Sequence, residues 1–336
     1  MVVRSLRNSK TRTAWTALAV ALIAATLATS GATFAREQAS PAADDFPPFP
    51  EPAPLPAALP RDEGPLNVVA TTGIIADLVA QIGGERVAVE SLLPANADPH
   101  DFEPAPEDLV KVEEADAVFV HGLHLDAWSN SLIDNAGSEA EVFVVTRDIE
   151  TIASDEEEFA EGDPHVWFDP TRVKTMVASI AADLGALDPD GATAYEARLA
   201  TYQANLDQLD AAIAERIALI PADRRKMVTN HDALRYYAER YGLEIVGTVI
   251  PGLDTRTEAS ARDIAALLDL IAEAQVPAIF AETTTNPELA AKLAAEAGIA
   301  IVDDLYTDSL GDEDSGADTY IGLMQTDTRL IVEALR

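Results

Sequence analysis

The stretch Asp98-Pro99-His100-Asp101-Phe102-Glu103-Pro104 sets a histidine directly after a proline and brackets it with acids. A second stretch further along the chain repeats that arrangement: Asp163-Pro164-His165-Val166-Trp167-Phe168-Asp169-Pro170. The chain has only five histidines, and a third, His231, lies in Thr229-Asn230-His231-Asp232. These three histidines, with an aspartate from the last third of the chain, predict one transition-metal ion held between two lobes.

Predicted strands and helices alternate on both sides of these stretches. Apolar runs such as Leu66–Thr71 and Asp116–Val120 alternate with helical patterns such as Pro106–Ala115 and Thr171–Leu187. A second strand–helix series begins at Arg225. The alternation predicts an α/β fold of two lobes, each a parallel sheet flanked by helices.

A long helical pattern separates the two series. It runs from Ala192 to Ile220 without glycine or proline, and Pro221 ends it. Its apolar positions recur at three and four residues: Leu199, Tyr202, Leu206, Leu209, Ile213 and Ile217. At about 1.5 Å per residue such a helix exceeds roughly 40 Å, so we expect it to join the lobes rigidly.

The N-terminal segment differs in composition from the rest. Residues 1–35 combine a basic start, an apolar run and a small-residue cleavage site, which is typical of a signal peptide; an uncleaved membrane anchor is the alternative. Residues 36–65 are rich in proline and acids, which predicts a disordered linker. The predicted domains are then a first lobe at 66–190, the linking helix at 191–221 and a second lobe at 222–336.

The chain is strongly acidic, with a formal net charge of −35 over 336 residues. A surface of that sign repels nucleic acid and attracts cations, so no nucleic-acid partner is expected. A saline habitat and a metal-related role are equally good explanations of this charge. The sequence contains no cysteine, so any metal site has only nitrogen and oxygen donors.

Three candidate ligands follow predicted strands. His100, His231 and Asp308 each lie a few residues past a strand, where open parallel sheets carry their functional loops. His165 follows an acidic loop, 151–162, that is predicted to be mobile and to lie near the same cleft. Sequence context alone does not select Asp308, because four neighbouring acids compete with it: Asp303, Asp304, Asp312 and Asp314.

The prolines and acids beside the two matched histidines have a predicted role. Each proline restricts the backbone before the imidazole ring. Asp98 and Asp163 are candidates to accept the second ring N–H and so to set the tautomer. The remaining histidines, His121 and His124, are interpreted as structural residues at the edge of the cleft.

From about Leu66 to the end, the chain carries four motifs in order: Asp98-Pro99-His100-x-x-Glu103-Pro104, Gly162-Asp163-Pro164-His165-Val166-Trp167, Asn230-His231-Asp232-Ala233-x-x-Tyr236 and Thr307-Asp308-Ser309-Leu310-Gly311. In order and spacing they resemble the zinc/manganese-type solute-binding proteins of metal ABC transporters. The resemblance implies two lobes bridged by one long helix. It also implies that the metal ligands are His100, His165, His231 and Asp308.

The resemblance further implies capture of a divalent ion outside the cytoplasmic membrane and delivery to an ABC permease. A histidine rather than a glutamate at the third position, His231, goes with zinc or mixed use in that family. We therefore expect Zn²⁺ first and Mn²⁺ second, in a monomer that is periplasmic or at the cell surface. The chain departs from many members of that family in two ways. The loop before its second motif is acidic rather than histidine-rich, and it has no cysteine for lipid attachment.

Two other classes of function compete with this one. A secreted metal-dependent hydrolase would need an open coordination position and a base such as Glu103 or Glu282, and a fourth ligand would close that position. A protein that binds an organic solute would need a larger aromatic cleft, and aromatic residues make up only 6% of the chain. We therefore expect a binding protein and not an enzyme.

Overall fold

The computed structural model describes residues 48–336, which contain two four-stranded parallel sheets. The strands are β1 (Leu66–Ala70), β2 (Val87–Ser91), β3 (Ala117–Val120), β4 (Glu141–Val144), β5 (Lys226–Thr229), β6 (Glu244–Thr248), β7 (Ala278–Glu282) and β8 (Ala300–Leu305). The sheets have the same topology, β2-β1-β3-β4 and β6-β5-β7-β8. The predicted α/β fold with two lobes is confirmed.

Within residues 48–336, nine α-helices flank the sheets. They are α1 (Gly73–Gly83), α2 (Pro106–Glu113), α3 (Trp128–Ala136), α4 (Pro170–Leu187), α5 (Ala192–Ile217), α6 (Arg235–Tyr241), α7 (Ala261–Ala274), α8 (Glu288–Ala297) and α9 (Tyr320–Leu335). Alternate residues of β1 point to opposite sides, so Val68 packs with α1 and α4 while Val69 packs with α2 and α3. Burial on both faces explains the continuous apolar runs of the central strands.

Helix α5 joins the two lobes. It has 26 residues, which gives a length of about 39 Å. It ends earlier than predicted because the N–H groups of Leu219 and Ile220 bond to carbonyls three residues back, which is a tighter turn than an α-helix. Its buried side chains, among them Leu206 and Ile213, share one core with α4 and α9.

Residues 48–65, here called the N-terminal strap, lie against α5, which corrects the prediction of disorder for that part of the linker. Asn205 of α5 holds the strap from both sides: Ala53 N–H donates to Asn205 Oδ1 (2.8 Å) and Asn205 Nδ2 donates to Ala53 O (3.0 Å). Composition predicted disorder because the strap has few apolar residues, but side chains of α5 supply its hydrogen bonds. Residues 36–47 and the predicted signal peptide lie outside the described residues.

The strap runs antiparallel to α5 in an extended conformation. The Arg216 guanidinium lies 3.5 Å from the centre of the Phe49 ring, and Arg198 Nη1 donates to Pro56 O (2.7 Å). The helix between these two arginines rises about 27 Å, and seven extended, proline-rich residues span about 22 Å. With the Ala53–Asn205 pair between them, these contacts show that the strap follows α5 from Arg216 to Arg198.

The acidic loop 151–162 has anchors that the prediction of a mobile loop did not include. Phe159 is buried, at 2% exposure. Ile152 N–H donates to the Tyr236 hydroxyl (2.9 Å), and Thr151 Oγ1 donates to Glu161 O (2.7 Å). The loop is therefore fixed at both ends and in the middle, and most of its acids remain exposed. Across residues 48–336 no helix is both long and apolar enough to cross a membrane.

Candidate metal centre

His100 lies in a short 3-10 turn, Pro99–Asp101, past the carboxyl end of β2. The prediction that Asp98 accepts its ring N–H is wrong. Asp98 Oδ1 instead accepts the backbone N–H of His100 (2.8 Å), and Asp98 Oδ2 accepts from Thr255 Oγ1 (2.6 Å). The ring is buried, and its Nε2 has no hydrogen-bond partner among the described residues. Asp98 thus fixes the turn, and the ring keeps a free nitrogen.

His165 follows the acidic loop and comes directly before the 3-10 turn Val166–Phe168. Its Nδ1–H donates to Asp163 Oδ1 (2.8 Å), as predicted, and the same oxygen accepts its backbone N–H (2.9 Å). His121 is buried behind this loop rather than at the cleft edge, and its Nε2–H donates to Pro164 O (2.8 Å). These contacts leave His165 Nε2 as the nitrogen that is free to bind an ion.

His231 comes two residues after β5, and a buried carboxylate holds it. Glu282 Oε1, at the end of β7, accepts both the Nδ1–H (2.7 Å) and the backbone N–H (3.1 Å) of His231. Glu282 is 2% exposed, and its Oε2 has no partner among residues 48–336. The strand ends of the second sheet therefore orient the ring and place a negative charge behind it.

Asp308 lies in the loop after β8 and is buried. Its Oδ2 accepts from Thr307 Oγ1 (3.0 Å), whereas Oδ1 has no hydrogen-bond partner in the described part of the chain. Trp167 Nε1 of the first lobe donates to Thr307 O (2.9 Å). The first lobe thus helps to position the loop that carries a second-lobe carboxylate.

The four predicted site residues are brought together by the fold. One donor atom from each of His100, His165, His231 and Asp308 lies within 4.8 Å of the other three. His231 Nε2 is 3.2 Å from His165 Nε2, and both nitrogens are 3.5 Å from an Asp308 oxygen. Bonds of about 2.0–2.2 Å to a tetrahedral ion would separate its donors by roughly 3.3–3.6 Å. The distances among His165, His231 and Asp308 are close to this spacing, and His100 lies within 4.8 Å of each, so the four could hold one ion.

The cluster residues of the two lobes have opposite protonation preferences. Burial, together with the charge of His231, lowers the pKa of His100 to about 3, and burial also lowers the pKa of His165. Burial disfavours the charged form of His231 too, but the carboxylates of Glu282 and Asp308 outweigh it and raise its pKa to about 10. Burial raises the pKa of Asp308 to about 8, against the attraction of His231. The first-lobe nitrogens are therefore neutral near pH 7, and the second-lobe pair carries protons.

Comparison with known proteins places the chain in a family. The family described as "Zinc-uptake complex component A periplasmic" matches residues 68–334. The chain belongs to this family. The match begins after the N-terminal strap, so the strap lies outside the region that defines the family.

Individual relatives and solved structures agree with this assignment. The manganese-binding lipoprotein MntA of Halalkalibacterium halodurans is 34% identical over 270 residues, covering 80% of this chain and 88% of that protein. The structure of the periplasmic zinc-binding protein TroA from Treponema pallidum has a TM-score of 0.75 at 32% identity, covering 81% of this chain and 99% of that one. A manganese-bound periplasmic metal-binding protein from Candidatus Liberibacter asiaticus gives a TM-score of 0.72 at 26% identity, covering 80% and 99%.

Two residues behind the cluster were not predicted in the roles that the structure gives them. From the sequence, Glu282 is a candidate only as a catalytic base, and His121 is interpreted as a residue at the edge of the cleft. A signal for Glu282 was present, because it is the one acid in the buried run Ala278–Glu282, and an acid in such a strand needs a partner. No local pattern pointed to the bond from His121 to Pro164, since the two are far apart in sequence.

Proposed function

We propose that this protein captures a divalent transition-metal ion outside the cytoplasmic membrane and delivers it to an ABC permease. The observation that carries the proposal is the convergence of four donor atoms, two from each lobe, at the spacing of a single ion. Family membership supports it, because relatives that cover most of the chain are named as substrate-binding lipoproteins of metal ABC transporters.

The proposed ligands are Nε2 of His100, His165 and His231 and a carboxylate oxygen of Asp308. Three nitrogens and one oxygen suit tetrahedral zinc, and a nitrogen-rich site binds zinc more tightly than manganese. Manganese is the second candidate, since several relatives are named for it. The ion is cargo in this proposal, and its release to the permease is part of the function.

The alternative of a secreted hydrolase has no support. Members of this family are substrate-binding components of transporters, not enzymes. Glu282, one of the two bases considered for a hydrolase, is committed to holding His231. We further propose that the protein acts as a monomer, and that a cleaved or uncleaved signal at 1–35 places it in the periplasm or at the cell surface.

Titration calorimetry with zinc and with manganese tests the proposal. We expect one ion per chain, a dissociation constant well below about 1 μM for zinc, and weaker binding of manganese. His231→Glu should reduce the ratio of zinc affinity to manganese affinity, because manganese prefers an oxygen donor to a nitrogen donor more than zinc does. If neither metal binds the wild-type protein more tightly than micromolar, the proposed function is wrong.

A further inference from the structure

A cavity of about 220 Å³ connects His100 with the surface between the lobes. Its inner wall includes the His100 ring and the buried Phe159 ring, whose centroids lie 6.3 Å apart in an edge-to-face arrangement. Charged and polar side chains also line it: the buried Asp254 and, towards solvent, His124, Glu158 and Arg256. The cavity is thus a route by which an ion can reach or leave His100.

An ion pair between the lobes lies at the outer wall of this cavity. Arg256 Nη2 of the second lobe donates to Glu158 Oε1 of the first lobe (2.7 Å), and both side chains are about half exposed. Arg256 Nε also donates to Asp254 (2.9 Å), which lies two residues away on the same loop. Glu158 is therefore the partner that ties this second-lobe arginine to the first lobe.

The loop that carries Arg256 makes other contacts with the first lobe beside it. Leu253 N–H donates to Glu156 Oε1 (3.0 Å). Thr255 Oγ1 donates to Asp98 Oδ2 (2.6 Å), and Asp98 fixes the turn that holds His100. A separation of Arg256 from Glu158 would therefore loosen the part of the boundary that lies closest to His100, while α5 keeps the lobes joined.

We propose that the Glu158–Arg256 ion pair is a latch that sets how fast the ion leaves through this cavity. The proposal rests on the proposed function, since it concerns the same ion. While the pair is formed, the loop 253–256 is held over the cavity. When it breaks, the outer wall opens and the route from His100 to solvent shortens. Among residues 48–336, the hydrogen bonds and ion pairs of Glu158 and Arg256 involve none of the four proposed ligands, so the pair acts on the rate of exchange more than on coordination.

The test is a stopped-flow measurement of zinc release into excess chelator from the loaded full-length protein. We expect Glu158→Gln and Arg256→Gln each to release zinc about two- to fivefold faster than wild type, the effect expected for a half-exposed pair. The double variant should be no faster than either single variant, because both remove the same interaction. Added salt should speed release from wild type and change the variants less.

Matched controls separate the latch from a general loss of charge. Glu157→Gln removes the same charge from the neighbouring exposed position, and Arg262→Gln removes an exposed arginine at the start of α7. Both should release zinc at the wild-type rate. If Glu158→Gln matches Glu157→Gln, or if the double variant is as fast as the product of the two single effects, the latch does not exist. Failure of wild type to bind zinc or manganese would instead overturn the proposed function itself.

Discussion

The two lobes contribute to the cluster in different ways. The first lobe supplies two imidazoles that each follow a proline, His100 within a 3-10 turn and His165 directly before one, and burial keeps both rings neutral. The second lobe supplies His231 and Asp308 from the ends of sheet strands, with the buried carboxylate of Glu282 directly behind. One half therefore offers ready lone pairs and the other offers negative charge.

We infer that the first lobe mainly supplies donor atoms and that the second lobe also compensates the charge of the ion, a contrast here called the division of labour. A dication in a buried site is stable only if nearby negative charge offsets its loss of hydration. Without an ion, the protonated His231 balances the Glu282 carboxylate, and Asp308 holds a second proton near pH 7. Metal binding would replace these protons with the charge of the ion at the same place. The second lobe should then dominate the affinity.

Removal of one ligand from each lobe gives the largest expected effect. Asp308→Asn removes both a donor and a charge, whereas His100→Gln removes a neutral donor only. We expect both to lose more than about 100-fold in zinc affinity, with Asp308→Asn the worse, as measured by competition with a chelator of known affinity. Asp304→Asn, at an exposed position of β8, is the control and should bind as wild type. Equal losses in the two ligand variants would contradict the division of labour.

The carboxylates that hold His231 and His165 should also differ in their effect on zinc affinity, by less than the ligands do. Glu282→Gln and Asp163→Asn each keep shape and remove one charge from a residue that orients a proposed ligand. We expect losses of about 10–100-fold, with the greater loss for Glu282→Gln, because its carboxylate also balances the charge at His231. Calorimetry measures the zinc affinity of each variant, and circular dichroism checks that the variant is folded. A greater loss for Asp163→Asn would reverse the comparison.

The pH dependence of metal binding should reflect the second lobe, whose residues hold protons, and not the neutral histidines of the first lobe. The pKa values of about 10 for His231 and about 8 for Asp308 mean that the free site holds protons at pH 7 which a metal ion must displace. Affinity should therefore fall as the pH decreases, by about tenfold per pH unit for each displaced proton, and proton release should be measurable in weakly buffered solution. His100, with a pKa near 3, adds nothing to this dependence above pH 5. Affinity that is constant between pH 6 and 7 would show that no proton is displaced.

The sequence predicted which four side chains converge better than it predicted what holds them. Proline-flanked histidines and strand ends are local patterns, and they predict that His100 and His231 lie near a common cleft. The selection of Asp308 among its acidic neighbours needed the family resemblance. The bond between His231 and Glu282 joins residues 51 positions apart, and no local pattern reports such a pair.

The strap was mispredicted for a related reason. Its composition is that of a linker, and the groups that order it belong to another element. Asn205 reads as one polar residue on an amphipathic helix, yet it is only 4% exposed and satisfies two backbone groups of Ala53. A buried polar residue on the apolar side of a helix is the only sign that the sequence offered.

The strap gives the smallest expected effect on the site, because it contacts α5 rather than either pair of ligands. Asn205→Leu keeps the volume of the side chain but leaves the N–H and C=O of Ala53 without their partner. We expect the free energy of unfolding to fall by about 1–3 kcal/mol, with zinc affinity unchanged, in thermal melts and calorimetry of the same samples. Gln208→Leu, at an exposed position on the same helix, is the matched control and should change stability little. A large loss of affinity in Asn205→Leu would mean that the geometry of the cluster depends on the helix that both lobes share, and that the two halves cannot be treated as separate contributors.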